Sequence, residues 1–420
     1  MRVLLISANT EQINMPALPL GLALVAAATR QAGHEVGFLD LRTEPDPAAA
    51  IGRAVEHYAP QVIGISVRNV DDQNMVNPRF LLEQVPPVVA ACRAATAAPV
   101  VVGGAGYSIF PEAARRYLGA DIGVCGEGED VFPAILERLG QGQDLSDLPS
   151  VFLPGGRVAA PRRFSDDLDR LPLPGEELWR SAKPQDAELW IPVQTRRGCS
   201  FDCTYCSTPA LEGRRLRARA PETVVRHIAQ AAEAGFRRFY FVDNTFNLPP
   251  SYALRLCLCL GSLPVRVQWR AILYPHAVSE ELVRAMAQAG CVEVALGFES
   301  GNQLVLKAMN KRFTPEEVRR ISQLLNDYGI RRDGFLLLGG PGETIESVEE
   351  SLAFAESLQL DLLSLRTGIR IYPNTRLAKI AIDEGVVATE DDLLRPRFYV
   401  RPGLEERIDE VVARRGLAAG

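Results

Sequence analysis

Two long stretches of alternating strand and helix patterns constrain what this chain can fold into. In residues 1–145, apolar runs such as RVLLIS (2–7) and VIGISV (62–67) are separated by segments with helical periodicity. A second alternation begins with LWIPVQ (189–194) and continues to about residue 371. Strands that are separated by helices of about ten or more residues form parallel sheets with both faces covered. The sequence therefore predicts an α/β protein.

The chain has 420 residues, more than one hydrophobic core usually supports, so we expect two domains. Residues 1–145 predict a doubly wound, Rossmann-like domain. Residues 146–187, rich in proline and glycine, predict a linker with a small hairpin that turns at Gly155-Gly156. Residues 188–385 predict a partial (β/α)6 barrel of the TIM type, and residues 386–420 a short tail that is helical near its end.

Composition and charge exclude several classes of protein. The chain is 47% hydrophobic and 23% charged, which is typical of a folded globular protein, and its net charge of −6 offers no basic field for nucleic acid. The N-terminal segment MRVLLISANT is too short for a signal peptide, and no run of about 18 apolar residues follows. We therefore expect a cytoplasmic protein that binds neither nucleic acid nor membrane.

Three of the eight cysteines are crowded into the segment GCSFDCTYC, as Cys199, Cys203 and Cys206. Three thiolates on one loop can hold three corners of an iron-sulfur cube or three positions around a zinc ion. Zinc is disfavoured, because no second CxxC or HxxxH pair follows and the four histidines stand singly. A [4Fe-4S] cluster with three thiolates keeps one iron open, as a catalytic metal centre requires.

The CxxxCxxC spacing, with Tyr205 before the third cysteine, resembles the cluster-binding motif of the radical S-adenosylmethionine (SAM) superfamily. In that family the motif follows the first strand of a partial barrel, as it does here. The resemblance implies that Cys199, Cys203 and Cys206 are the metal ligands and catalytic residues of a [4Fe-4S] cluster. The open iron then chelates the methionine part of SAM, and reduction yields a 5′-deoxyadenosyl radical. An external one-electron reductant of the flavodoxin or ferredoxin type is implied as a partner.

Polar residues at the ends of later barrel strands are candidates for binding SAM. The resemblance implies that Asp243 and Asn244 bind its amino group, and that Arg270 pairs with its carboxylate. Glu299 is the candidate for the ribose hydroxyls, and Tyr205 for packing near the adenosyl part. Each of the strand-end residues could instead be an ordinary solvated side chain.

Two further segments leave alternatives open. GGPGET (339–344) predicts either a glycine-rich turn whose backbone N–H groups meet a ligand or a plain turn before a helix. RRLRAR (214–219) predicts either contact with a carboxylate or phosphate of the substrate or a solvated basic face.

Long, glycine-rich loops follow the predicted strands of the first domain. Parallel sheets bind ligands at this carboxyl edge. The stretch that begins PALPLGLALV, together with GISVRNVDD, VVGGAGYSIFPEAA and GVCGEGED, resembles the cobalamin-binding domain that precedes the barrel in one large radical SAM subfamily. The candidate cobalamin-binding residues are Leu20, Gly21, Ser66, Arg68, Asn69, Gly103, Gly104, Gly126, Glu127 and Gly128.

The first domain has no DxHxxG segment, and no histidine lies in a predicted strand-end loop. The resemblance therefore implies cobalamin in a His-off, base-off state, with Arg68 near the lower face of cobalt. The alternative is that Arg68 pairs with Asp71 or Asp72. Withholding a strong axial ligand favours methyl transfer, because methylcobalamin releases its methyl group more readily without a sixth ligand.

The combined resemblance implies a cobalamin-dependent radical SAM C-methyltransferase, which moves a methyl group from SAM via methylcobalamin to a carbon of a small-molecule substrate. Two alternatives remain open: a non-methylating cyclase or rearrangement enzyme with the same cofactors, and a non-catalytic protein that binds cobalamin or metal. The segment 386–420 is too short for a large recognition domain. We therefore expect a small substrate that lies between the two domains.

Overall fold

The structure, a computed structural model, describes residues 1–11, 18–155 and 162–417. The chain divides into two compact units. The first unit comprises Met1–Asp72, Phe80–Trp190 and Ala210–Gly213, and the second comprises Gln73–Arg79, Ile191–Pro209 and Arg214–Gly420. The segment 146–187, expected as a linker, is thus part of the first unit.

The first unit contains a six-stranded sheet in the order β2-β1-β3-β4-β5-β6. Its first five strands are parallel, and β6 pairs antiparallel with β5. The strands are β1 (Arg2–Ser7), β2 (Glu35–Asp40), β3 (Val62–Ser66), β4 (Val100–Gly103), β5 (Ile122–Val124) and β6 (Val151–Phe152). The order in which successive strands are added to the sheet reverses between β1 and β3. Doubly wound sheets bind ligands at such a switch point.

Helices cover both faces of this sheet, as its continuous apolar strands require. The helices are α1 (Leu20–Gln31), α2 (Pro47–Tyr58), α3 (Val85–Ala95), α4 (Ala105–Ile109), α5 (Pro111–Leu118) and α6 (Gly128–Gly140). On one face, Val3 and Leu5 of β1 pack in a core with Leu22 of α1 and Phe132 of α6. The doubly wound prediction for this domain is confirmed.

The hairpin expected around Gly155-Gly156 lies only partly within the described residues. Its first arm forms β6 and joins the main sheet beside β5. Its second arm, residues 156–161, lies outside the described residues, as do residues 12–17 of the loop after β1.

The second unit contains six parallel strands in the order β14-β13-β12-β11-β10-β7. They are β7 (Ile191–Val193), β10 (Arg238–Phe241), β11 (Gln268–Leu273), β12 (Cys291–Glu299), β13 (Arg331–Leu338) and β14 (Leu362–Thr367). Two short antiparallel pairs accompany them: β8 (Arg196–Arg197) with β9 (Arg217–Ala218), and β15 (Ile369–Arg370) with β16 (Phe398–Tyr399). The prediction of a partial (β/α)6 barrel is confirmed.

Helices follow the barrel strands and cover their outer face. They are α8 (Pro221–Glu233), α9 (Pro250–Gly261), α10 (Glu280–Gln288), α11 (Gln303–Ala308), α12 (Pro315–Asp327) and α13 (Ile345–Ser357). The short helix α7 (Thr208–Glu212) precedes them, and from Ala210 onward it belongs to the first unit. Two more helices, α14 (Arg376–Asp383) and α15 (Glu405–Arg414), follow the barrel. Local sequence defines where several helices begin: Thr314 and Glu317, for example, form a capping box at the start of α12. No helix among the described residues is both long and apolar enough to cross a membrane.

Candidate active site

The three clustered cysteines lie on a loop that leaves the carboxyl edge of the barrel just after β7 and β8. All three are free thiols; Cys199 is buried, and Cys203 and Cys206 are half-buried. The pKa of Cys203 is raised to about 11, mainly by burial; Lys311 lowers this pKa, and Cys206, Glu299 and Cys199 contribute to the rise. The three thiols therefore lie close enough to affect one another's ionisation.

The donor set fits an iron-sulfur cluster on chemical grounds. Three soft thiol ligands share one loop, and two of them are accessible from solvent. Within the described ranges, no group of three or more His, Cys, Asp or Glu side chains is arranged to hold a single metal ion. The assignment of a cluster therefore rests on the motif and its place after the first barrel strand.

A buried carboxylate fixes the entry to this loop. Asp243, after β10, accepts hydrogen bonds from the backbone N–H groups of Thr195 (2.7 Å) and Arg196 (3.0 Å), and from the hydroxyl of Thr195. It also pairs with the Arg196 guanidinium at 3.1 Å, with both side chains 2% exposed. In this structure the oxygens of Asp243 are engaged by the loop, and its contact with the amino group of SAM stays a prediction.

Asn244, the neighbouring candidate, remains half-buried at the same edge. Its Oδ1 accepts a hydrogen bond of 3.3 Å from the hydroxyl of Thr208, just after the cysteines. Its contact with SAM stays a prediction.

The far side of the cysteine loop is attached to segments distant in sequence. Thr204 donates its backbone N–H to the carbonyl of Met309 at 3.0 Å, and Asn310 donates its side-chain amide to the carbonyl of Asp202 at 2.6 Å. Leu377, in the first turn of α14, donates its N–H to the carbonyl of Thr204 at 2.9 Å. Part of the chain after the barrel thus positions the thiols, which the sequence did not indicate.

A buried cation lies beside the aromatic residue of the motif. Lys311 Nζ is 3.0 Å from Glu299 Oε1 and 2.9 Å from the Tyr205 hydroxyl, which itself donates to Glu299 Oε1 at 2.9 Å. Nζ also lies 5.1 Å from the Tyr205 ring centroid and 5.8 Å from that of Tyr274. Burial would lower the pKa of Lys311, but Glu299 and Tyr205 outweigh it and raise this pKa well above its ordinary value.

Glu299 and Tyr205 therefore lie at the expected edge, and Lys311 engages both. The roles expected for them toward SAM stay predictions. Glu299 has a left-handed backbone with φ of 61°, at a register shift between β12 and β13. Sequence reasoning missed Lys311, because a single lysine after a short helix belongs to no periodic pattern.

Arg270 lies elsewhere. It is near the start of β11, and Nη1 pairs with Glu293 at 3.3 Å while its guanidinium lies 4.8 Å from the Tyr240 ring centroid. The cysteine loop is at the opposite, carboxyl end of the strands. The guanidinium of Arg270 is engaged by Glu293 in this structure, and its pairing with the carboxylate of SAM stays a prediction.

The GGPGET segment forms a turn that is closed by its own glutamate. Glu343 is fully buried, and Oε2 accepts hydrogen bonds from the backbone N–H groups of Gly339 (2.5 Å) and Gly340 (2.8 Å). Burial raises the pKa of Glu343 to about 7. Those two backbone N–H groups thus donate to the glutamate of their own turn.

The RRLRAR segment is divided between solvent and core. Arg214 is exposed and pairs with Asp202 of the cysteine loop at 2.8 Å, and Arg215 is also exposed. Arg217, in β9, and Arg219 are only 5% and 4% exposed. A solvated basic face thus describes Arg214 and Arg215 but not Arg217 and Arg219, which are buried.

In the first unit, the candidate cobalamin residues gather at one edge of the sheet. Ser66 pairs in register with Ser7 of β1 and with Gly103 of β4, so three strands end at the same level. Gly104 has a φ of 103°, and a Cβ there would lie 2.5 Å from the carbonyl oxygen of Val67. Glycine is required at that position to let two strand-end loops approach closely.

The remaining candidates form the turns around this edge. Leu20 and Gly21 begin α1, and a Cβ at Gly21 would meet no described atom within 4 Å. Gly126, with φ of 93°, and Glu127 lead into α6, and Glu127 Oε2 accepts the N–H of Ser165 at 2.7 Å. A Cβ at Gly128 would lie 2.9 Å from Val25, so that glycine serves helix packing.

Arg68 is exposed beyond the end of β3, and Asn69 follows it. Both histidines of this unit lie away from the carboxyl edge. His34 Nδ1 is 3.0 Å from the N-terminal amine of Met1, at the amino end of β1, and His57 is in the last turn of α2. A Cβ at Gly126 would meet no atom closer than 3.9 Å, so this turn, like the start of α1 at Gly21, leaves room for a ligand at the carboxyl edge.

The two folds and the thiol loop define a class: an iron-sulfur barrel enzyme preceded by a doubly wound ligand-binding domain. Comparison with known families agrees. Residues 193–355 match the radical SAM superfamily, and residues 6–136 match the B12 binding domain. The chain therefore belongs to the radical SAM enzymes that carry an N-terminal cobalamin-binding domain.

Relatives extend over most of the chain. An uncharacterised methyltransferase of Pyrococcus horikoshii is 27% identical over 93% of this chain and 85% of its own length. The tryptophan 2-C-methyltransferase of Streptomyces laurentii is 24% identical over 88% of this chain and 73% of its own length. The solved structure of the radical SAM methyltransferase TsrM from Kitasatospora setae, with cobalamin and a [4Fe-4S] cluster bound, is 23% identical and has a TM-score of 0.86. It covers 98% of this chain and 89% of that one, and shows the same fold.

Proposed function

We propose that this protein transfers a methyl group from SAM to a carbon atom of a small-molecule substrate and uses cobalamin as the methyl carrier. The observation that carries the proposal is the presence, in one chain, of a three-thiol loop on a radical SAM barrel and a B12 binding domain. Two relatives that align with most of this chain, and so with both domains, are named as methyltransferases. This favours methyl transfer over ring closure.

In the barrel, Cys199, Cys203 and Cys206 would hold the cluster, which supplies an electron to SAM when bound. The residues around them keep the thiols in place: Asp243 fixes the loop entry and Thr204 its far side. Fixed ligands are needed because a misplaced reacting group costs rate steeply.

Next to the thiols, Lys311 balances the negative charge of Glu299. A positive charge beside a cluster favours its reduced, more negative state. Tyr205, held through its hydroxyl, presents its ring beside the thiols and is proposed to pack near the adenosyl part of SAM.

In the first unit, the sheet edge formed by Ser66, Gly103 and the Gly126 turn would hold cobalamin. We propose the His-off, base-off state, since neither histidine of the unit lies at that edge. Arg68 extends from β3 at this edge and is proposed to lie near the lower face of cobalt.

The proposed chemistry requires reduced thiols and a low-potential electron donor of the flavodoxin or ferredoxin type. Both conditions favour a reducing compartment such as the cytoplasm.

Anaerobic assay with SAM carrying a deuterated methyl group tests the proposal. With candidate small molecules, methyl transfer predicts a product heavier by the labelled methyl group. A product that forms without the label would overturn it in favour of a cyclase or rearrangement enzyme. A protein that consumes no SAM under reducing conditions, with Cys203→Ala behaving as wild type, would indicate a non-catalytic binding protein.

A further inference from the structure

The inner face of the barrel is open to solvent. On β12 and β13, Leu296, Phe298 and Leu336 are fully buried under the helices, whereas the residues that alternate with them are partly exposed. Phe335, on the inner face, is 37% exposed. Complete barrels fill this space with packed side chains. In this partial barrel, part of the inner face instead stays exposed and is accessible to a ligand.

Among the residues that the structure describes, Arg366 on this face is a cation without a partner. Leu365 and Thr367 of β14 are buried, so Arg366 shares the opposite, inner face with Ser364. In the part of the chain that the structure describes, Arg366 makes no side-chain hydrogen bond and no ion pair. It is half-buried, where an unpaired charge is costly.

The other inner-face cations differ from Arg366 in this respect. Arg270 pairs with Glu293 at 3.3 Å, and Arg331 pairs with the same carboxylate at 3.7 Å. The nearby acid Asp333 instead accepts a hydrogen bond from Ser364 at 3.1 Å. Asp333 pairs in register with Leu362, and Arg366 lies four residues beyond Leu362. Arg366 is therefore about 13 Å along the strand from the level of Asp333. No acidic residue of β13 or β14 lies at its level.

Arg366 lies at the carboxyl edge of the barrel sheet, which is also the edge that the cysteine loop leaves. It pairs in register with Leu337, and the adjacent Leu336 pairs with Glu299 at the end of β12. The neighbouring positions are apolar or small: Leu337 lies opposite, and Phe335 pairs with Gly297. An apolar wall thus lies beside a single unpaired guanidinium.

We propose that this inner face is the substrate site and that it takes a small molecule with an apolar or aromatic body and one carboxylate, which pairs with Arg366. This inference rests on the proposed function, because it places the substrate beside the thiol loop. A guanidinium binds a carboxylate through two parallel hydrogen bonds, which orients the substrate as well as holding it. Arg366 is a specificity-determining residue in this account.

Binding of matched acid and amide pairs tests the proposal. Anaerobically reconstituted protein is titrated calorimetrically with 3-phenylpropionate, 4-phenylbutyrate and octanoate, and with the neutral amide of each. Wild type is expected to bind at least one acid tenfold or more tightly than its amide. Arg366→Gln should abolish that preference and Arg366→Lys should keep part of it. Arg226→Gln, which removes an exposed charge from α8, should leave it unchanged.

Any of three results would overturn the inference. The first is a wild type that does not distinguish any acid from its amide, and the second is an Arg366→Gln variant that still does. The third is a tenfold loss of SAM affinity in Arg366→Gln, which would assign the guanidinium to the carboxylate of SAM. Label transfer from SAM to cobalamin, measured without substrate, tests the proposed function separately. Its failure with the acid preference intact would refute methyl transfer while the anion site stands.

Discussion

Replacing Asp243 should loosen the cysteine loop without unfolding the barrel. In Asp243→Asn, the amide oxygen can still accept from the backbone of Thr195 and Arg196, but the amide nitrogen faces the Arg196 guanidinium. Arg196 then keeps only neutral acceptors: the carbonyls of Phe246 and Leu248, both at 2.6 Å, and the hydroxyl of Thr195 at 3.2 Å. Removing one partner of a buried ion pair typically costs about 3 to 5 kcal/mol.

Because the carbonyl contacts of Arg196 remain, the free-energy cost of Asp243→Asn should be about 3 kcal/mol, the lower end of this range. Asp243→Ala removes every acceptor of this side chain and should cost about 5 kcal/mol. Since about 1.4 kcal/mol corresponds to a factor of ten, Asp243→Asn should raise amide exchange in residues 194–200 about 100-fold.

Hydrogen exchange followed by mass spectrometry measures this directly, and iron content after reconstitution should fall in parallel. Asp383→Asn, which alters an exposed aspartate of α14, is the matched control. If exchange in Asp243→Asn stays within twofold of that control, the buried pair does not hold the loop and the reasoning is wrong.

Three further predictions concern the same unit. The pKa of Glu343 is raised from an ordinary 4.5 to about 7 in the folded protein, so wild type should lose stability as the pH rises from about 4.5 to about 7. Glu343→Gln should flatten this dependence in urea unfolding at pH 5 and pH 8; a variant with the same slope as wild type would contradict it. Lys311→Met should make the cluster harder to reduce. In a redox titration followed by electron paramagnetic resonance, the midpoint potential should fall by at least ~59 mV, which corresponds to a tenfold smaller ratio of reduced to oxidised cluster at a fixed potential. Lys311→Arg should stay near wild type, and an unchanged midpoint in Lys311→Met would refute the charge effect. Cys203→Ala should lose most iron but keep cobalamin, whereas Cys259→Ala should keep both; loss of both cofactors in Cys203→Ala would mean that the cluster is structural.

The fold could be predicted because it depends on local patterns. Continuous apolar runs such as VIGISV and VVVG, separated by helical segments, indicate buried parallel strands, and two such blocks indicate two sheets. The CxxxCxxC motif could be placed after a strand for the same reason. Strand ends were less exact: the first barrel strand, expected at 189–194, is Ile191–Val193.

The role of individual polar residues could not be predicted, because it depends on partners distant in sequence. Asp243 is engaged by Arg196, which is 47 residues away, and Lys311 meets Tyr205 across 106 residues. The pattern indicates that Arg270 is on a strand, but its depth along the barrel depends on the register with Glu293.

The central claim is that this chain moves a methyl group from SAM onto cobalamin. The most direct measurement needs no substrate: cobalamin-loaded, reduced protein is incubated with SAM that carries a deuterated methyl group, and the cobalamin is then extracted for mass spectrometry. Methyl transfer predicts that cobalamin gains the labelled methyl group while S-adenosylhomocysteine accumulates in equal amount. Cobalamin that stays unlabelled, in protein that binds both cofactors, would contradict the account.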